Sequence, residues 1–80
     1  MIFLIEYDRT TGRTLRFSHY ADSERGVAED ERLQMELKLN REGLLMQREV
    51  VLLRAQDEDA LRRTHERYFK HLPQPVEPNP

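Results

Sequence analysis

The chain predicts an α+β domain of order ββαβα: a three-stranded antiparallel sheet in spatial order 2-1-3, with two helices on one face. Three observations carry this expectation. Met1-Ile2-Phe3-Leu4-Ile5-Glu6-Tyr7 is apolar on both faces of any strand it forms, and Glu49-Val50-Val51-Leu52-Leu53-Arg54 repeats the pattern. Thr14-Leu15-Arg16-Phe17-Ser18-His19 alternates as a strand with one buried face does. Positions 28 to 49 hold strong helix formers and no valine, isoleucine, threonine or aromatic residue.

The first strand runs from Ile2 to Tyr7, and Asp8 to Arg13 is a turn with Gly12 placed to take a positive φ. If Arg9 opposes Arg13, then Tyr7 meets Leu15, Ile5 meets Phe17 and Phe3 meets His19. The same register sets Glu6 against Arg16 as an opposite-charge pair.

A long helix follows, from about Ser23 to Glu42, with Asp22 or Ser23 as its cap and Gly43 at the C′ position of a Schellman ending. Leu33, Met35, Leu37 and Leu39 recur with period two, a strand signature that the local helix propensity outweighs. As a helix, the segment is apolar on two sides: Gly26, Leu33, Leu37 and Leu44 on one stripe, Ala28, Met35 and Leu39 on another.

The third strand spans about Arg48 to Ala55, and Asp57 caps a second helix that runs to Leu72, where Pro73 stops it. Leu61, His65, Tyr68 and Leu72 share its apolar stripe. The domain is therefore read as residues 1–72, followed by a proline-rich tail, 73–80, expected to be extended and mobile.

The strand richest in apolar residues belongs in the middle, and a right-handed crossover places the third strand on its far side. Both helices are expected over Phe3, Ile5, Tyr7, Leu15 and Phe17. That leaves Ile2, Leu4 and two of Val50, Val51, Leu52 and Leu53 facing nothing. Covering four such side chains is worth roughly 6–12 kcal/mol before costs, so a second copy is expected there. The sheets would stack face to face, or third strands would pair into one six-stranded sheet. The expected interface is Ile2, Leu4, Val50, Val51, Leu52 and Leu53, with Met35 and Leu39 from the helix. On that reading Leu4→Glu or Leu52→Glu breaks the assembly.

Composition narrows the function. There is no cysteine, so disulfides and thiolate metal sites are excluded. The charged fraction is 35% but the net charge is −2, so the whole chain is not an electrostatic nucleic-acid binder. The N-terminal apolar run lacks a basic flank and is interrupted by Glu6, which reads as neither signal peptide nor membrane span, hence a cytoplasmic protein with no membrane partner. No cofactor, metal or catalytic residue is expected.

Three function classes remain, in this order. The first is a small homo-oligomeric interaction module whose partner is itself, or an unidentified protein. The second is a nucleic-acid-associated protein using Arg62, Arg63, Arg67 and Lys70 as a basic helix face. The third is a small ligand binder or enzyme using His19, His65 and Tyr68, with Tyr7 and Tyr20 near them. His65 and His71 fall on different helix faces and do not form a metal pair.

Overall fold

The computed structural model describes residues 1–70. They form β1 (Ile2–Asp8), β2 (Arg13–Tyr20), a 3₁₀ turn (Asp22–Glu24), α1 (Arg25–Arg41), β3 (Arg48–Arg54), α2 (Glu58–Thr64) and a second 3₁₀ segment (Glu66–Phe69). The strands make one antiparallel sheet in the order β2-β1-β3, as expected from the two-faced apolarity of β1.

Local chemistry sets most boundaries. At the β1–β2 turn, the Asp8 carboxylate accepts from the Thr10 N–H at 2.9 Å and its hydroxyl at 2.6 Å. These bonds hold the Asp8 carboxyl below its usual range. Gly12, at φ 74°, closes the turn by donating its N–H to the Asp8 carbonyl. Past Arg41, Gly43 donates to the Asn40 carbonyl and Leu44 to the Leu39 carbonyl, the two bonds of a Schellman ending with Gly43 at φ 73°. Asp57 caps α2 by accepting the Ala60 N–H at 2.9 Å.

The N-terminal cap of α1 differs from expectation. Neither Asp22 nor Ser23 caps it; the 3₁₀ turn precedes it, and Glu24 accepts the Ala21 N–H at 2.8 Å. The Asp22 carboxylate is engaged instead by the Met1 amine at 2.8 Å.

The hairpin register is as expected from Phe3–His19 to Glu6–Arg16 and then slips, so that Tyr7 meets Thr14 and Asp8 meets Arg13. Leu15 is the extra residue of this bulge and is 45% exposed, not part of the core. Thr14 takes the inward position, where its hydroxyl donates to the Tyr68 carbonyl. That bond ties β2 to the C-terminal segment across the fold. The Glu6–Arg16 pair holds in register, yet each side chain finds another partner: Arg16 bonds Glu31 at 3.0 Å and Glu6 bonds Arg48 at 2.7 Å.

The main correction concerns the helices, which lie on opposite faces of the sheet. Phe3, Ile5, Tyr7, Phe17, Val51 and Leu53 pack with Leu61, Tyr68 and Phe69, so α2 and its 3₁₀ extension cover that side. On the other side α1 lies over β1 and β3, burying Ile2, Leu4, Ala28 and Leu39, and reaches β2 through Glu31, which also accepts from the Tyr20 hydroxyl. A strand that is apolar on both faces needs two covering layers, and one chain supplies both here. The 11 residues of α2 and the 3₁₀ segment suffice because two of them, Tyr68 and Phe69, are aromatic and bury large areas.

The second helix is also shorter than expected. It ends at Thr64 and the backbone breaks at His65, at φ −133° and ψ 54°. The Thr64 hydroxyl bonds back to the Ala60 carbonyl and lies 2.8 Å from His65 Nδ1, local bonds that compete with continuing the helix. The break turns Tyr68 onto Tyr7 in an edge-to-face contact of 5.3 Å. His71, Leu72 and the tail 73–80 lie outside the described residues.

Candidate functional site

With both sheet faces covered, the residues expected at an interface separate into two groups. Ile2, Leu4 and Leu39 are buried between the sheet and α1, with Leu4 0% exposed, so these three are not available to a second copy, while Met35 is half-buried beside Leu39. The uncovered face on which stacked sheets depended does not exist. Val50, Val51, Leu52 and Leu53 remain half-buried, because β3 is an edge strand with a neighbour on one side only.

The outer side of β3 can be specified atom by atom. Ala55 donates its N–H to the Met1 carbonyl and Arg9 donates to the Gln47 carbonyl. Antiparallel pairing alternates from there, so the odd-numbered residues of β3 bond β1, the Arg48 N–H is taken by the Leu44 carbonyl at 3.0 Å, and Val50, Leu52 and Arg54 aim their N–H and C=O groups outward. Among the described residues nothing pairs with them. Natural edges are commonly blunted by proline, lysine or outward charge, and β3 has none of these along its middle. Of its charged residues, Arg48 bonds Glu6, Glu49 accepts from the Tyr68 hydroxyl at 2.8 Å and Arg67 at 3.2 Å, and Arg54 is exposed at the strand's end, 4.0 Å from Asp22.

Beside this edge, between α1 and β3, runs a groove of about 250 Å³ lined by Ile2, Arg25, Glu29, Arg32, Leu52 and Arg54. Arg25 and Glu29 form an exposed ion pair one helical turn apart at 2.9 Å. Arg32 and Glu36 join no ion pair among the described residues. Leu33 and Leu37 lie on the side of α1 away from the sheet and are exposed, and Met46 in the following loop is 85% exposed.

The basic face of the C-terminal segment is already occupied in part. Arg62 bonds Glu58 at 2.7 Å and lies over the Phe69 ring at 4.6 Å. Arg67 bonds Glu49 and stacks over Tyr7 and Tyr68 at 4.7 and 5.2 Å. Arg63 and Lys70 are exposed and join no ion pair among the described residues.

The histidines and tyrosines do not converge. His65 stacks on Tyr68 at 6.3 Å, whereas His19 is exposed opposite Phe3, towards the other end of the sheet. Tyr20 lies on the α1 face and bonds Glu31, apart from Tyr7 and Tyr68. Burial, then the hydrogen bond to Glu49, pushes the Tyr68 hydroxyl up to about 12. The hydrogen bond ties the C-terminal segment to β3. Among the described residues no three His, Cys, Asp or Glu side chains gather as a metal site, and no helix is long and apolar enough to cross a membrane.

Sequence reading missed two features. Glu49 is a hub for Tyr68, Arg67 and Arg9, and its only signal was a carboxylate opening an apolar strand. The alternating charges Arg25, Glu29, Arg32 and Glu36 stand at helical spacing in the sequence, and no expectation was attached to them.

No family model matches the chain, and no curated protein and no solved structure matches it either.

Proposed function

We propose that the protein is a homo-oligomeric interaction module, and that β3 is the strand through which two copies join into one six-stranded sheet. The observation that supports this reading is the state of β3. It is an edge strand with four consecutive half-buried aliphatic residues, outward backbone groups and no blunting residue among them. Pairing with a second copy satisfies those groups and covers the open flanks of Val50 to Leu53 on both faces of the sheet. Nucleic-acid binding through the C-terminal segment has less support, since Arg62 and Arg67 are committed to Glu58, Glu49 and aromatic rings. That leaves few cations for the several phosphate contacts such binding requires.

The test is the molar mass in solution by light scattering behind a sizing column, over a wide concentration range. Wild type is expected at twice the mass of its chain, and Leu52→Lys, which sets an ammonium at the centre of the edge, is expected at the monomer mass. A monomeric wild type at every concentration removes the proposal.

A further inference from the structure

We infer that the two copies also meet through α1, by a charge pattern that reads the same in an antiparallel pair, and that this pattern fixes the register of the β3 edges. The inference rests on the edge-pairing reading above. Strands in a sheet lie about 4.8 Å apart, so a helix seated over β1 and β3 and its copy across a two-fold axis come within about 10 Å, ordinary helix-packing distance.

The flank of α1 that faces the partner is the one lining the groove beside β3. It carries Arg25, Glu29, Arg32 and Glu36, spaced to recur on one side of a helix. Arg25 precedes the midpoint between Asp30 and Glu31 by as much as Glu36 follows it, and Glu29 and Arg32 sit symmetrically inside them. In an antiparallel pair centred there, Arg25 of each copy meets Glu36 of the other, and Glu29 meets Arg32. Every contact joins opposite charges. Parallel pairing in register would set like against like.

The strand edge agrees with this centre independently. Val50, Leu52 and Arg54 aim open backbone groups outward, while the Arg48 N–H is already bonded to Leu44, so the even-numbered residues must pair. Centring on Val51 sets Arg48 against Arg54 of the other copy, a like-charge pair that disfavours that register. Centring on Leu52 avoids it, matching Val50 with Arg54. Leu52 lines the same groove as Glu29 and Arg32, the two residues flanking the helix midpoint. One two-fold axis therefore serves both the strand and the helix.

The test uses charge reversal and mixing of the full chain, with folding checked by circular dichroism. Arg25→Glu alone and Glu36→Arg alone each place like charges at two symmetric contacts, and each is expected to weaken self-association roughly tenfold or more. The double variant Arg25→Glu/Glu36→Arg restores it. Mixing the two single variants yields a heterodimer, because all contacts are then opposite in charge. If the single variants dimerise like wild type and show no preference for each other, the helix pairing is wrong while edge pairing stands. Weakened singles that neither the double variant nor mixing rescues also overturn it. A monomeric wild type removes both proposals.

Discussion

β1 and β3 look alike as sequences, and the fold treats them differently. Ile2-Phe3-Leu4-Ile5 and Val50-Val51-Leu52-Leu53 are both apolar on two faces. In β1 all four are at most 3% exposed, because a strand lies on each side, α1 above and α2 with its 3₁₀ extension below. In β3 all four stay half-open, since the same two layers reach the edge but no strand lies beyond it among the described residues. Two-faced apolarity thus states how many layers a strand needs. Its place in the sheet decides whether its own chain can complete the enclosure.

Substitutions that treat the two strands alike should give opposite outcomes. Leu4→Glu buries a carboxylate with no partner beneath α1 and is expected to unfold the domain, not merely to separate copies. Leu61→Ala, at a fully buried position against Phe3 and Ile5, is expected to cost about 2–5 kcal/mol, comparable with the whole stability of a domain this size. Thermal melts followed by circular dichroism check both.

Proline scanning divides β3 itself. Leu53→Pro removes an N–H that bonds β1 and is expected to abolish folding, whereas the Leu52 N–H points outward. Leu52→Pro is expected to leave a folded monomer destabilised by about 2 kcal/mol, mostly from the lost leucine side chain. Equal damage from the two prolines would contradict the alternation assigned to the edge.

Tyr68 joins the underside of the sheet to Glu49 of β3, and its removal should be milder. Tyr68→Phe is expected to cost about 1 kcal/mol through the lost hydrogen bond. Because the folded state raises the phenol from 10.0 to about 12, it adds stability that is complete below pH 10 and disappears as pH rises through about 12. Wild type should lose stability over that alkaline interval more steeply than Tyr68→Phe, as denaturation curves at several pH values would reveal.

The smallest effect sharpens the choice between the two exposed apolar features. Leu37 lies on the side of α1 away from the sheet, about 100° around the helix from Glu36. Leu37→Glu is expected to leave both stability and molar mass unchanged. A monomer from Leu37→Glu with a dimer from Leu52→Lys would move the interface from the strand edge to the outer helix stripe.

The strand order, the Schellman ending at Gly43 and the Asp57 cap were legible in the sequence because each depends on neighbouring residues or on simple alternation. The covering of Ile2 and Leu4 by α1 was not. Periodicity marked Ala28, Met35 and Leu39 as a buried stripe without naming the surface that buries it. The bulge at Leu15 brings Thr14 to the Tyr68 carbonyl, 54 residues away, which no local pattern shows. The break at His65 goes with side-chain bonds of Thr64 that the apolar stripe did not reveal. At the candidate interface, Val50 to Leu53 could be picked out by apolarity. Their outward backbone groups emerged only once the register with β1 was known.

The most direct measurement is amide hydrogen exchange along β3, residue by residue by NMR, at low and high protein concentration. The Val51 and Leu53 amides should be protected throughout, since they bond β1. The Val50, Leu52 and Arg54 amides should exchange freely when dilute and become protected as concentration rises. Free exchange of those three at every concentration, beside protected Val51 and Leu53, would mean that the edge of β3 is never paired.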